Sequence, residues 1–359
     1  MTFHATPMFP GDLYDTTARV AAAAPVAETF ESQEPSETWS QFLQLGWQGV
    51  LIDEAHDGAG ASLGDVAAIA EAAGRHALAQ PLAARCAVVP LLLAGLPGAS
   101  DVLRAMAAGE ASVCPVLDTG PVPLAAVRDG DRLTLNGRLH GADLTEPATH
   151  FVFVATQDDG LPLLVLAPRD AVPGHASTWL GIDGRQTADI ALAGVTLAAS
   201  SVLAQGEDVY TRVERASAVG GLLACAQTVG AIGAMIEQTI EYLTTRVQFG
   251  VALATFQALR HRVVEMYVAY ENVRGMVRRQ VLDLCEGPAS GSPRDIALVK
   301  LYLSVTGRQV AESAIQLHGG IGMSRELPAA RLAMHALACS LQWGDRFAHL
   351  DRLARPALH

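Results

Sequence analysis

The sequence predicts an α+β chain of three parts: an N-terminal α-domain over residues 1–111, a middle antiparallel β-domain over 112–205, and a C-terminal four-helix bundle over 206–359. Two changes of hydrophobic period, with a string of turn signals between them, carry that prediction. At 359 residues the chain exceeds the usual size of a single core. Half of its residues are hydrophobic and 17% are charged, the profile of a well-buried globular protein. Aromatics make up only 5%, so Ala, Gly and Leu dominate, and small side chains let helix axes approach closely.

The elements follow in order. Trp39, Phe42, Leu43 and Trp47 fall on one helical stripe, and Asp57-Gly58-Ala59-Gly60-Ala61 ends that unit. Ser62 and Asp65 open a further helix through Ala67, Ala70 and Ala73 in the manner of a capping box. Pro81 and the run Val88–Leu96 predict another, closed by Gly95, Pro97 and Gly98. From about residue 112 short strand-like runs take over: Leu124–Val127, Arg132–Asn136, Phe151–Ala155 and Leu161–Ala167. Asp129-Gly130-Asp131, Asn136-Gly137 and Asp158-Asp159-Gly160 separate them and predict hairpins, because Asn-Gly and Asp-Gly supply the positive φ that tight turns need. Long helices are predicted at about 207–247, 254–285, 293–319 and 326–355, with Gly287-Pro288-Ala289-Ser290-Gly291-Ser292-Pro293 breaking the second from the third.

Composition narrows the function classes. A formal net charge of −12 argues against nucleic acid or an anionic membrane as a general partner, although a local basic site can still bind a polyanionic coenzyme. Ala216 to Ile236 is a run of 21 uncharged residues, but it is poor in large apolar side chains and suits a buried helix better than a membrane span. Met1-Thr2-Phe3-His4 shows no secretory signal pattern. Cys86, Cys114, Cys225, Cys285 and Cys339 form no CxxC pair, so reduced thiols and a cytoplasmic location are expected. Eleven histidines show no ligand spacing, so no metal site is expected.

Arg246-Val247-Gln248-Phe249-Gly250, followed by Phe256-Gln257, resembles the R-x-x-F-G…Q stretch of the acyl-CoA dehydrogenases. Seventy residues after Arg246, Gln316-Leu317-His318-Gly319-Gly320-Ile321-Gly322 resembles that family's Q-x-x-G-G-x-G segment. Leu45-Gly46-Trp47, Asp57-Gly58-Ala59-Gly60 and Glu71-x-x-Gly74-Arg75 are similar to its first domain. The resemblance implies an FAD-dependent oxidoreductase that desaturates an acyl-CoA thioester between its α and β carbons. It implies a tetramer, with electron-transferring flavoprotein as the usual acceptor. Arg246, Gln248, Phe249, Leu253, Gln257, Gln316, Gly319 and Gly320 are then the candidate FAD contacts, made to the FAD of a neighbouring subunit. The residue types suit the work: a planar guanidinium grips a pyrophosphate in paired bonds, and glycine lets backbone approach a cofactor.

The pattern breaks where the family keeps its catalytic base. The loop position that usually holds Glu matches Trp343, and the alternative position on the first bundle helix matches Gly220. Asp345 is the nearest acid and the candidate catalytic residue, but it also stands where a helix N-cap belongs. Val116-Leu117-Asp118-Thr119-Gly120-Pro121 replaces the family's T-E-P-x-x-G-S-D-like segment, and Asn136–Gly141 lacks the aromatic that packs on the flavin. Thr145-Glu146-Pro147 lies too late in the domain to substitute. The cross-subunit half of the site is kept while the home half is eroded. The expectation is a subunit that completes FAD sites shared with a Glu-bearing paralogue. The alternatives are a homo-oligomeric enzyme with a displaced base such as Asp345, or a non-catalytic relative.

Overall fold

The computed structural model describes residues 3–24, 35–118, 120–174, 177–287 and 292–354. Met1, Thr2, Thr119 and the centre of the predicted break, Pro288–Gly291, lie outside the described residues.

Among the described residues the chain opens with the helices α1 (Asp12–Ala23), α2 (Glu37–Gln44), α3 (Leu63–Arg75), α4 (Val89–Leu93) and α5 (Ser100–Ala107). Of the predicted stripe, Trp39 and Phe42 lie on α2 and Trp47 in the short turn after it, each at most 2% exposed, while Leu43 is half-buried; the Phe42 and Trp47 rings stand 4.2 Å apart. Ser36 caps this helix by accepting from the Trp39 N–H at 3.1 Å.

Strands follow: β1 (Val113–Val116), β2 (Ala125–Asp129), β3 (Arg132–Asp143), β4 (His150–Gln157), β5 (Pro162–Pro168), β6 (Ser177–Leu180), β7 (Gln186–Ala198) and β8 (Val202–Gln205). They form one sheet in the order β6-β7-β3-β2-β4-β5-β8, with β1 also paired to β4. The sheet is mixed rather than antiparallel as expected, because β1 and β2 both run parallel to β4. Every residue of β4 from Phe151 to Ala155 is buried, so side chains on both faces of the strand are covered, which explains its unbroken apolar run. Asp129-Gly130-Asp131 and Asp158-Asp159-Gly160 are hairpin turns, joining β2 to β3 and β4 to β5. Asn136-Gly137 is not one. It lies within β3 as a register irregularity, with Gly137 at φ 142 and the Asn136 side chain accepting from the Gly194 N–H at 2.8 Å. The same tolerance of unusual φ that makes Asn-Gly a good turn makes it a good bulge.

The helices then return as α6 (Glu207–Thr245), a two-stranded hairpin β9 (Val247–Gln248) and β10 (Val251–Ala252), α7 (Gln257–Glu286), α8 (Pro293–His318), α9 (Pro328–Leu341) and α10 (Arg346–Ala354). α6 is long and apolar enough to cross a membrane, yet every residue from Ala218 to Ile236 is buried in the protein. The predicted last helix, 326–355, is two helices. Trp343 at φ 58 and Gly344 at φ 100 stop α9 from continuing, since right-handed helices require negative φ.

The chain forms two compact units. One gathers Met1–Ala24, Leu63–Ala79 and Gly221–His359; the other gathers Pro25–Ser62 and Gln80–Gly220. In the first unit α3 and α6 cross at two glycines. A Cβ on Gly74 would overlap the Gln227 carbonyl, and one on Gly230 would overlap the Glu71 carbonyl. The second unit packs its sheet around Leu133, Leu135, Phe151, Phe153, Leu163, Val165 and Ile190.

Candidate active site

The eight candidate cofactor residues gather at one end of the helical bundle. α6 stops at Thr245, and the chain turns through β9 and β10 before α7. At the hairpin tip Phe249 and Gly250 both have positive φ, at 54 and 79, as a two-residue primed turn demands. Glycine adopts that backbone freely, but phenylalanine is strained there. Even so, Phe249 is 89% exposed and meets the ring of Phe256 edge-on, with centroids 6.2 Å apart. A strained, exposed aromatic is held out by the fold rather than consumed by a core. The Leu253 N–H donates to the Arg246 carbonyl at 2.9 Å and fixes the base of the hairpin.

Arg246, Gln248, Gln257 and Gln316 are exposed, and among the described residues no acidic side chain pairs with the Arg246 guanidinium. α8 ends with Gly319 at φ 65, where the Gly319 N–H bonds back to the Gln316 carbonyl. Nothing lies within 4 Å of a Cβ built on Gly319 or Gly320, so open space faces both. Gly322 differs: a Cβ there would overlap the Ile315 carbonyl, so it is required by packing. One contact escapes sequence reasoning. The Tyr242 ring, one turn before Arg246, stacks on His318 at 4.7 Å between centroids. His318 is 3% exposed, and its Nδ1 lies 2.8 Å from the Ala314 carbonyl. That stack ties the end of α6 to the end of α8 and brings the two motifs together. Free cation, exposed aromatic and bare glycine backbone are the chemistry a dinucleotide needs.

The loop position matched to a base lies against the first bundle helix. A Cβ on Gly221, the residue after Gly220, would lie 3.7 Å from Trp343 Cβ. Neither base position supplies a carboxylate. Asp345 caps α10: its Oδ1 accepts from the Ala348 N–H at 2.8 Å. His349 is buried behind this turn, where burial and then the Lys300 charge pull its imidazole down to about 4. Lys300 is buried too, and its Nζ donates to the Cys339 carbonyl.

The second unit holds the segment that leads into the sheet. Asp118 forms a β-bridge with His140, and a Cβ on Gly120 would lie 2.5 Å from the imidazole. The His140 Nδ1 lies 3.2 Å from Asp189 Oδ2, and the Gly141 N–H donates to Asp189 Oδ1 at 3.0 Å. Asp118 and Gly120 therefore lie directly on β3. Glu146 is buried and structural: its carboxylate accepts from the Ser36 backbone N–H at 2.9 Å and from the Ser36 hydroxyl.

Glu71-x-x-Gly74-Arg75 resolves into three packing roles within the first unit. The Glu71 carboxylate is 2% exposed and accepts from the Met8 N–H at 2.8 Å. Gly74 is the helix crossing described above, and Arg75 pairs with Glu237. Glu237 also accepts from the Ala5 N–H at 2.6 Å, while Arg274 and Tyr270 donate to the Thr6 carbonyl at 3.0 and 3.4 Å. Residues 5–8 are thus held by side chains on both their donors and their acceptors. Cys86, Cys114, Cys225 and Cys339 are buried and Cys285 is exposed. Among the described residues no group of three or more His, Cys, Asp or Glu side chains is placed to hold a metal ion.

Comparison with known proteins gives the same answer over most of the chain. Residues 12–110 match the family model of the acyl-CoA dehydrogenase N-terminal domain, and residues 211–358 match that of the C-terminal domain. The chain is 27% identical to acyl-CoA dehydrogenase IpdE2 of Mycobacterium tuberculosis, over 79% of this chain and 74% of that protein. It superposes on a variant of the Tcur3481–Tcur3483 steroid ACAD with a TM-score of 0.80 and 26% identity, covering 95% of each chain. It superposes on the ChsE4–ChsE5 complex of Mycobacterium tuberculosis with a TM-score of 0.82 and 22% identity, covering 99% of this chain and 100% of that one. Domain matches at both ends, a whole-chain likeness of fold and the motif-bearing end of the bundle agree: the chain belongs to the acyl-CoA dehydrogenase family of FAD-binding oxidoreductases.

Proposed function

We propose that this chain is one subunit of a two-component, FAD-dependent acyl-CoA dehydrogenase, and that it completes FAD sites whose base belongs to a Glu-bearing partner subunit. One observation carries the reading: the two base positions, Trp343 and Gly220, hold no carboxylate, while the Arg246–Gly320 end of the bundle is unengaged and open. The closure of Asp118 and Gly120 on His140 supports it, because the segment that would cradle this chain's own flavin lies against its own strand instead. The Tcur3481–Tcur3483 and ChsE4–ChsE5 relatives, whose names join two chains, support a heteromeric assembly.

The residues present fit FAD. Arg246 would neutralise the pyrophosphate, Phe249 would cover the adenosine half, and Gly319 and Gly320 would let backbone come within hydrogen-bonding range. Gln248, Gln257 and Gln316 offer donors and acceptors at the rim, and Leu253 offers apolar contact. FAD, when bound, supplies the acceptor for the hydride that leaves the β-carbon. This chain's part is to bind and orient it. Removal of the α-proton falls to the partner's carboxylate, because a general base must come within about 3 Å of the proton it takes. The indole of Trp343 has only an N–H donor to offer. Electrons would pass on to an electron-transferring flavoprotein.

The visible spectrum and solution mass of the purified chain test the proposal. A colourless protein that acquires flavin bands only when co-expressed with a Glu-bearing paralogue is the expected result. Stoichiometric flavin in the chain alone, bleached by an acyl-CoA, would instead make it a self-sufficient enzyme.

A further inference from the structure

Trp343 is the strained residue of the α9–α10 turn. Its φ of 58 is unfavourable for a bulky side chain, and such strain persists only where the surroundings enforce it. They do so on both sides. Before α10, Gly344 turns at φ 100, and the His349 ring sits 3.1 Å from where a Cβ of Gly344 would stand. Asp345 caps the helix, and Arg294 Nη1 donates to the Leu353 carbonyl at 2.9 Å, tying down the far end of α10. On the opposite face Gly221 offers no side chain, leaving Trp343 Cβ 3.7 Å from the position of a Cβ there. Trp343 is only half-buried, unlike Trp39 and Trp47 at 1% and 2% exposure, so it is not held for a hydrophobic core.

We propose that Trp343 is a plug: a large side chain whose Cβ is held beside Gly221 and which closes this chain's own acyl position to thioesters. The inference rests on the functional reading above, in which 343 and 220 are the places where a base would meet the substrate's α-carbon. An indole at that place removes the base and fills the volume in one substitution. The chain would keep its affinity for the coenzyme portion while losing any gain from the acyl tail, and catalysis in the assembly would fall to the partner's sites alone.

Calorimetric titration of the full-length chain with free CoA and with octanoyl-CoA tests this, in the wild type, Trp343→Gly and Trp343→Phe. Glycine adopts the required φ without strain, so Trp343→Gly is expected to fold, and a thermal melt verifies it. Wild type and Trp343→Phe should bind the two ligands with equal affinity. Trp343→Gly should favour octanoyl-CoA, by about tenfold for every two methylenes it covers. A wild type that already prefers octanoyl-CoA overturns the plug. A folded Trp343→Gly that binds CoA without any preference for the acyl chain overturns it too. Failure of all three proteins to bind CoA at all would overturn the plug as well, since there would be no coenzyme-anchored acyl position to close, while the functional reading stands or falls on its own flavin test.

Discussion

Replacing Glu71 with Gln should make the protein more stable at alkaline pH than the wild type. The Glu71 carboxyl is buried in the first unit, and burial pushes it from 4.5 up to about 7, against the Met8 N–H and the Arg274 and Arg75 charges, which pull it down. The native state therefore holds this proton more tightly than the unfolded chain does. Stability from this group is fully present below about 4.5 and is lost as pH rises towards 7, after which the loss is constant. A rise from 4.5 to about 7 corresponds to about 3 kcal/mol in all, of which about 2.5 kcal/mol falls between pH 5 and pH 8. The amide introduced by Glu71→Gln keeps an oxygen for the Met8 N–H and carries no charge to bury. Urea unfolding of both proteins at pH 5 and pH 8 isolates the effect, because every other titrating group cancels in the difference. The Glu71→Gln variant should gain on the wild type by about 2.5 kcal/mol on moving to the higher pH. A difference that stays constant within about 0.5 kcal/mol would refute the reasoning. It would mean that the Met8 N–H and the arginines compensate the buried carboxylate in full.

Three further outcomes follow from the geometry. Gly230→Ala drives a methyl into the Glu71 carbonyl and should cost about 3 kcal/mol or more in denaturant unfolding, whereas Gly275→Ala on the open face of α7 should be neutral or gain up to about 1 kcal/mol. Asp345→Ala should lose about 1 kcal/mol with its cap and Asp345→Asn only a few tenths, while turnover by the assembled enzyme stays unchanged in Asp345→Asn; a loss of orders of magnitude there would make Asp345 the base. Arg246→Gln removes an exposed, unengaged guanidinium, so the melting of the chain alone should not move, but FAD affinity in the assembly should fall about tenfold or more by flavin fluorescence.

Where a residue's local chemistry decides its structure, the sequence is readable. Asp129-Gly130-Asp131 and the apolar run of β4 each announce themselves within a few residues. Asn136-Gly137 misleads, since the same backbone freedom serves a hairpin or a bulge and only the partner strand decides. The parallel pairing of β1 with β4 joins Val113 to His150, and no local pattern announces it. The break at Trp343-Gly344 is legible only in part: the apolar pattern on both flanks reads as one helix, and Asp345 as an N-cap is the one local sign of a new start. In the candidate site, Arg246 and Gly319-Gly320 are legible as motifs. The Tyr242–His318 stack that unites them is not, because it joins positions 76 residues apart through ring geometry. The three roles of Glu71, Gly74 and Arg75 need the neighbours that the fold brings: Met8, Gln227 and Glu237.

The discontinuity of the first unit sets a schedule for synthesis. Helix α3 is apolar on nearly every side, with Val66, Ala67, Ile69, Ala70, Ala72 and Ala73 all buried, and the helix that crosses it at Gly230 is encoded about 150 residues later. At about 5–20 residues per second, α3 leaves the ribosome on the order of ten to thirty seconds before its partner exists. The remainder of the second unit, Gln80–Gly220, is made in that interval, so that unit is complete and can fold before the first. Until α6 emerges, the Ala-rich face of α3 must be shielded by α1 or by a chaperone, which makes this early segment, rather than the bundle, the one most exposed to aggregation in the nascent chain.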